Sequence, residues 1–429
     1  MRNWTSKITK LYANKQIIII AFLGFVSGLP LLLTSSTLGV WLAEEGVTKA
    51  AIGAFSLVAL PYTFKFLWAP LFDHLRIPFL TKLLGKRRSF MILTQLLLMG
   101  SLICLGFTSP SAHPLVIAIF ALCVSFFSAS QDIIIDAYRV EILPQQSYGA
   151  GAASIVFGYR IGMLVAGAGA LYLAEVVPWG VVYFAMAFLV LVGILVCLLC
   201  DEPAQNLSPK RPQTSSFSSS YILAPMLEFI KKKHWIAMLL IIMFYKLGDA
   251  FLTSMSNIFF LESGFSKVEI ANVAKVFGLA STLCGGFIAG IMSSRLGIMR
   301  SMLACGVIHM IANLIFVVQA YVGYSMPMLI CTIAIENVTA GMTGVALVAY
   351  ISSLCDGVNT ATQYALLSSI IAFGRTVLTS FSGVIAASLG WSLYFLFTSL
   401  IAIPALLILF WLLRSEEPKA ASINIYSST

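Results

Sequence analysis

Charge is scarce in this 429-residue chain: 10% of its residues are Asp, Glu, Lys or Arg, against about 25% in an average soluble domain. With 59% hydrophobic residues and a mean hydropathy of +0.96, that scarcity excludes a soluble globular protein and leaves a polytopic membrane protein. Histidine is scarcer still: His74, His113, His234 and His309 are scattered and form no metal-ligand set. Eight cysteines (104, 123, 197, 200, 284, 305, 331 and 355) lie in or beside apolar runs. Without zinc-type spacing or a secreted disulfide framework they read as small buried hydrophobes. No P-loop and no catalytic-triad order is present, so neither a cofactor nor a metal is expected. The run GAGAAS at 149–154 follows no strand and opens an apolar helix, so close helix packing through small residues explains it better than nucleotide binding.

What is present is a series of apolar runs. The first follows Arg2, Lys7, Lys10 and Lys15 and reaches residue 43, too long for a signal h-region, so it reads as an anchor. A spanning helix needs about 20 apolar residues. That ruler predicts twelve spans, at 17–42, 51–72, 89–108, 114–139, 149–174, 179–200, 235–260, 268–292, 300–322, 327–350, 362–388 and 390–413. The one long polar stretch, 201–233, carries Pro203, Pro209, Pro212 and the run TSSFSSS, and ends in an amphipathic approach at Met226–Lys233. The expected organisation is therefore an N-terminal six-helix bundle at 1–200, a cytoplasmic linker at 201–233, a C-terminal bundle at 234–414 and a cytoplasmic tail at 415–429. With the N-terminus inside, 19 Lys and Arg residues fall on the cytoplasmic side and only Lys49 and Lys267 on the other. By the positive-inside rule both termini are cytoplasmic. Basic residues so distributed serve topology, so no nucleic-acid partner is expected.

The two halves also resemble each other. WLAEEGVTKAAIG (41–53) aligns with FFLESGFSKVEIA (259–271), LGKRRS (84–89) with LGIMRS (296–301), and YRIGMLVAGAG (159–169) with GRTVLTSFSGV (374–384). Three matches in one order, at offsets of 212 to 218, indicate an internal repeat. Two six-span halves related by an axis along the membrane normal are what the major facilitator architecture shows. The loop after the second span, PLFDHLRIPFLTKLLGKRR, is a stretched version of that superfamily's gating loop, with Asp73, Arg76, Gly85, Lys86, Arg87 and Arg88. The insertion departs from the usual pattern.

Five Lys and Arg residues remain inside spans: Lys65, Arg160, Lys246, Lys275 and Arg375. A charge at bilayer depth costs about 2.5–3.5 kcal/mol on insertion scales, so such groups face protein or a watery cavity. The densest set is SASQDIIIDAYRVE (128–141), where Asp132, Asp136 and Arg139 recur at i, i+4 and i+7 and form one helical stripe. It reads either as a substrate or proton site or as a structural ion-pair cluster. Two carboxylates one turn apart disfavour joint ionisation unless cations neutralise them. Lys65 and Arg160 are the cations available, and Gln131 with Ser128 and Ser130 offers neutral hydrogen bonds. Arg160 either clamps a substrate carboxylate or carbonyl or holds an Asp ionised. Asp132, deeper than Asp136, is the better proton carrier; Asp136 beside Arg139 reads as a gate partner. In the second half Lys246 and Asp249 stand at i, i+3, with Glu336, Asn337 and Arg375 as further substrate or ion-pair candidates. Trp41, Trp68, Tyr62 and Tyr159 could stack on sugar rings, although interface anchoring explains the two tryptophans more simply.

The segments GLPLLLTSSTLGVWL, YTFKFLWAPLFD, SASQDIIIDAYRVEILP, YGAGAAS and GYRIGMLVAGAGALYLAE resemble the AmpG-type muropeptide permeases. That family is a branch of the major facilitator superfamily related to acetyl-CoA transporters. The likeness is dense over 17–200 and thinner beyond. It implies a proton-coupled importer of anhydro-muropeptides in the bacterial inner membrane. It further implies a role in peptidoglycan recycling and in β-lactamase induction, and a monomer that needs no cofactor. By the same resemblance Lys65, Gln131, Asp132, Asp136 and Arg160 occupy motif positions, and Arg139 stands where some members carry Lys. The competing readings are a transporter of another anionic metabolite, such as an acyl-CoA or a nucleotide, and an intramembrane enzyme or sensor. The last needs a convergent nucleophile, a metal set or a signalling domain, and none is visible.

Overall fold

The computed structural model describes residues 12–48, 52, 55–110, 112–203, 227–273, 277–355 and 359–423. The linker residues 204–226, Lys49 and Lys275 lie outside these. Among the described residues the secondary structure is helical throughout, with no strand. Ten helices are long and apolar enough to cross a membrane: Lys15–Glu44, Lys86–Gly106, Pro114–Ile142, Gln145–Ala174, Trp179–Leu199, Trp235–Glu262, Leu279–Leu296, Ile298–Val322, Met326–Leu354 and Trp391–Ser415. Each matches one expected span.

The other two expected spans are broken. The eleventh is a pair, Thr360–Thr379 and Ser382–Leu389, bent by 43°. The second is a chain of short turns over Phe55–His74 whose apolar helical part is only Leu57–Leu67. Pro61 and Pro70 lie in it, and proline removes a backbone donor and crowds the carbonyl one turn earlier. The broken backbone leaves Lys65 in a 3-10 turn, Lys65–Leu67. Such irregular backbone at membrane depth is tolerated where protein or water covers it.

The described chain forms two compact units. One comprises Met1–Gln145, Ser154–Leu227 and Cys355–Ser369; the other comprises Gln146–Ala153, Glu228–Leu354 and Ile370–Thr429. The first is organised around Trp41, Leu98, Tyr183 and Val190, the second around Phe259, Phe316, Tyr394 and Phe395. Lipid tails are as apolar as these side chains, so helix association rests on close packing and on polar contacts rather than on exclusion of water. Glycine provides the closest packing. A Cβ on Gly24 or Gly28 would lie 2.4 or 2.1 Å from the carbonyl oxygens of Ile155 and Tyr159. Gly158 and Gly162 face Ala21 and Phe25 as closely. In the second unit Gly149 meets Ser293 in the same way, so the GAGAAS run does pack a helix.

Matching contacts recur in the two units. Trp179 Nε1 donates to Glu44 Oε2 (2.7 Å), and Trp391 Nε1 to Glu262 Oε2 (2.8 Å). Tyr183 OH donates to the carbonyl of Leu33 (2.8 Å), and Tyr394 OH to that of Phe251 (2.7 Å). Each second member follows its mate by 211 to 218 residues, close to the spacing of the repeat. Trp41 does not sit at an interface: it is 3% exposed and stacks on Trp179 at 5.9 Å between ring centroids.

Candidate functional site

In the first unit the helix Pro114–Ile142 carries the expected stripe, and its members go to different partners. Asp132 Oδ1 accepts a 2.5 Å hydrogen bond from Ser27 Oγ on the first helix. Lys65 is the cation whose charge acts on Asp132, without an ion pair within 4 Å. Tyr62 and Tyr159 also lie close enough to sense the Asp132 charge. Trp68 Nε1 donates to Ser130 Oγ (3.0 Å), which turns that indole toward the stripe. Gln131 is fully buried, and neither of its amide atoms has a hydrogen-bond partner among the described residues. Arg160 follows Tyr159 and is exposed.

Asp136 takes the other course. Arg139, fully buried, donates to its Oδ1 at 3.2 Å and stacks over the Tyr364 ring at 5.3 Å.

The gating-loop residues form a connected polar cluster in this unit. Arg87 Nε and Nη2 hold both oxygens of Glu141 (2.9 and 2.5 Å), while Nη1 and Nη2 reach the Phe72 carbonyl (3.0 Å) and Asp73 Oδ1 (2.9 Å). The Asp73 carboxylate, fully buried, also accepts from the Ala361 and Thr362 amides (3.3 and 2.8 Å) and from Thr362 Oγ1 (2.7 Å). It thereby caps the start of helix Thr360–Thr379, whose first amides have no partner within the helix. Lys86 donates to the Asp73 carbonyl. Glu202 caps helix Lys86–Gly106 through the Arg87 and Arg88 amides, and Gly85, at φ 91°, lies where a Cβ would strike that carboxylate. Arg88 holds the carbonyls of Cys197 and Leu198. Arg76 is exposed, and its charge acts on Lys86; the insertion that follows it passes through Phe79 at φ 69°.

The second unit has its own charged cluster. Lys246 Nζ pairs with Asp249 Oδ2 at 2.8 Å and lies 3.3 Å from Ala340 O and from Thr343 Oγ1. His309 Nε2 stands 3.4 Å from Asp249 Oδ1. Glu336 accepts from Asn337 Nδ2 (2.7 Å), and Asn337 Oδ1 accepts from Thr282 Oγ1 (3.0 Å). Arg375 is exposed. The sequence assigns His309, Glu141, Thr362 and Tyr364 no site role, since the charged groups they meet, Asp249, Arg87, Asp73 and Arg139, stand 54 or more residues away. Among the described residues no group of three or more His, Cys, Asp and Glu could hold a metal. Among the described residues no catalytic arrangement emerges; buried charge joined to neutral hydrogen-bonding groups suits the binding and release of ions and polar solutes.

Comparison with known proteins agrees with this character. The model of the Major Facilitator Superfamily matches residues 20–362 and 247–426. A putative transporter AmpG 4 of Rickettsia conorii is 37% identical over 410 residues, covering 95% of this chain and 98% of that one. The anhydromuropeptide permease of Escherichia coli K12 is 36% identical over 428 residues, covering 99% and 85%. Among solved structures, the E. coli fucose:proton symporter superposes with a TM-score of 0.66 at 14% identity, over 92% of this chain and 97% of that one. A proton:xylose symporter gives 0.65 at 10% identity, over 95% and 96%; at such identities the likeness concerns the fold.

Proposed function

This chain belongs to the major facilitator superfamily and, within it, to the AmpG-type permeases, and we propose on that premise that it imports anhydro-muropeptides with protons. It is a transporter and not an enzyme. The sugar-peptide products of cell-wall turnover pass from periplasm to cytoplasm, feeding peptidoglycan recycling and, in bacteria with an inducible β-lactamase, its induction. The chain acts as a monomer in the inner membrane with both termini cytoplasmic.

One observation carries the proton assignment. Of Asp73, Asp132, Asp136 and Asp249, all buried or half-buried, Asp132 alone has no cation within 4 Å among the described residues. A half-buried carboxylate at membrane depth without a paired cation is the group for which gaining a proton removes most electrostatic cost. Ser27 and Lys65 then set how tightly the proton is held, and a shift of Lys65 toward or away from Asp132 would load and unload it. The exposed Arg160 is the substrate-facing group of this unit and suits a peptide carboxylate through its planar fork; Gln131, fully buried with its amide unbonded, would reach substrate only once a change of access state opens its surroundings. Asp136 with Arg139, and Asp73 with Arg87 and Arg88, serve the gate.

The test is uptake of labelled anhydro-muropeptide into proteoliposomes, with and without an imposed pH gradient. Accumulation above the external concentration only when the exterior is acidic supports symport. Uptake suppressed by an acyl-CoA or a nucleotide, but not by unlabelled muropeptide, would replace the substrate.

A further inference from the structure

His309 sits on helix Ile298–Ala312 with 4% exposure and has no role in the scheme above. Its hydrogen bonds define where its protons lie. Thr339 Oγ1 is 3.0 Å from the carbonyls of Ile335 and Glu336, which take its single hydrogen. Toward His309 Nδ1, 2.9 Å away, the Thr339 oxygen therefore accepts, so Nδ1 carries a hydrogen. In the neutral ring Nε2 is then a lone pair. It faces two groups at 3.4 Å: the Asn313 amide nitrogen, a donor, and Asp249 Oδ1, an acceptor. The neutral ring can satisfy only the first. A proton on Nε2 reverses this, because imidazolium donates at both nitrogens.

The consequence falls on Lys246. Asp249 offers Oδ2 to Lys246 and Oδ1 to His309. When His309 is neutral, Lys246 is, among the described residues, the one full charge paired with the carboxylate. When His309 is charged, the carboxylate has two cations, and its hold on each weakens. Lys246 is the member able to leave: its side chain is 20% exposed against 5% for His309. The elements packed on the His309 helix bring few other charges. Helix Leu279–Leu296 carries Arg295 alone, at its far end, and Trp391–Leu400 carries none. Residues 403–413 carry none, Met326–Leu354 brings Glu336 bonded to Asn337, and His309's own helix carries Arg300 in its first turn, more than two turns away, with Cys305 facing Ser301.

We propose that His309 is a proton-binding site in the second unit, and that its protonation passes Asp249 to His309 and frees the Lys246 ammonium for an anionic group of the substrate. The proton arrives from water on Nε2 and leaves the same way; no covalent bond is broken. The inference rests on the transport reading, since the anion is taken to be a peptide carboxylate of the substrate.

Two measurements on the full chain in nanodiscs decide it. In the first, His74, His113 and His234 are replaced by Gln, so that His309 is the sole histidine. Its ring nitrogens are then followed by 15N NMR from pH 5 to 8. Protonation of Nε2 on acidification is expected, and a ring that stays neutral throughout overturns the proposal. The second measures binding of an anhydro-muropeptide with free carboxylates and of the peptide-free anhydro-disaccharide. A proton whose affinity changes by one unit on binding alters Kd about tenfold. Between pH 8 and pH 5.5 the wild type should therefore gain about tenfold more affinity for the acidic probe than for the peptide-free probe, whereas His309→Gln should gain equally for both, any dependence common to the two probes belonging to Asp132. A His309→Gln protein that keeps the wild-type pH dependence contradicts the proposal. If the wild type binds neither probe, the transport reading fails instead, and the histidine titration still judges the proton site.

Discussion

Replacing Arg87 by Met keeps much of the side-chain volume and removes the cation of the gating-loop cluster. The guanidinium makes four hydrogen bonds, two to Glu141, one to Asp73 and one to the Phe72 carbonyl, from a side chain only 6% exposed. Breaking a buried pair by removing one partner costs about 3–5 kcal/mol, because the remaining charge is left uncompensated. Two features bring the expectation to the lower end. Glu141 is 16% exposed and can draw on water, and Asp73 keeps its three bonds to Ala361 and Thr362. The expected loss is therefore about 3 kcal/mol. Adding Glu141→Gln should restore part of it, since a neutral amide tolerates the missing cation. Arg87→Lys should fall between, keeping the charge without the fork. Denaturant unfolding of the purified protein in detergent, run as a double-mutant cycle, reads these differences. A loss below about 1 kcal/mol for Arg87→Met, the range of exposed pairs, would refute the view that these ions are shielded from water.

Arg160→Ala should weaken binding of an acidic muropeptide more than Arg160→Lys, by calorimetry, and equal affinities of all three proteins would assign Arg160 no substrate contact. Gly28→Leu should abolish folded protein on size-exclusion chromatography, because the glycine already abuts the Tyr159 carbonyl, whereas Gly100→Leu, with open space at that position, should be tolerated. Trp179→Phe and Trp391→Phe should each cost about 1 kcal/mol, the usual worth of one hydrogen bond, and equal thermal shifts would match their equivalent places in the two units.

What the sequence discloses depends on distance along the chain. Asp132, Asp136 and Arg139 share a helix, so their spacing declares a common stripe, as i, i+3 does for Lys246 and Asp249. The stripe's division, with Asp132 to Ser27 and Asp136 to Arg139, depends on the approach of helix Lys15–Glu44 to helix Pro114–Ile142, which brings Ser27 within reach of Asp132 alone. Periodicity within one helix carries no record of that approach. The gating-loop motif was recognisable, but Glu141 and Thr362 reach it across 54 and 289 residues. His309 passed as one isolated histidine because its partner Asp249 lies on another helix. Glu44 and Glu262 could be matched from the aligned segments, while their tryptophan partners stand outside every aligned block. The breaks in the second span follow from Pro61 and Pro70, which an apolar-length ruler counts as ordinary span residues.

The central claim, that Asp132 carries the coupled proton, meets its most direct test in Asp132→Asn proteoliposomes loaded with anhydro-muropeptide. Asn keeps the size and can still accept from Ser27, but it cannot gain and lose a proton. The account predicts that acid-outside accumulation of labelled substrate disappears while some downhill exchange of labelled for unlabelled substrate persists; Asp136→Asn should instead impair gating or protein yield. If Asp132→Asn vesicles still concentrate substrate with only a pH gradient supplied, the proton is carried elsewhere and the assignment is wrong.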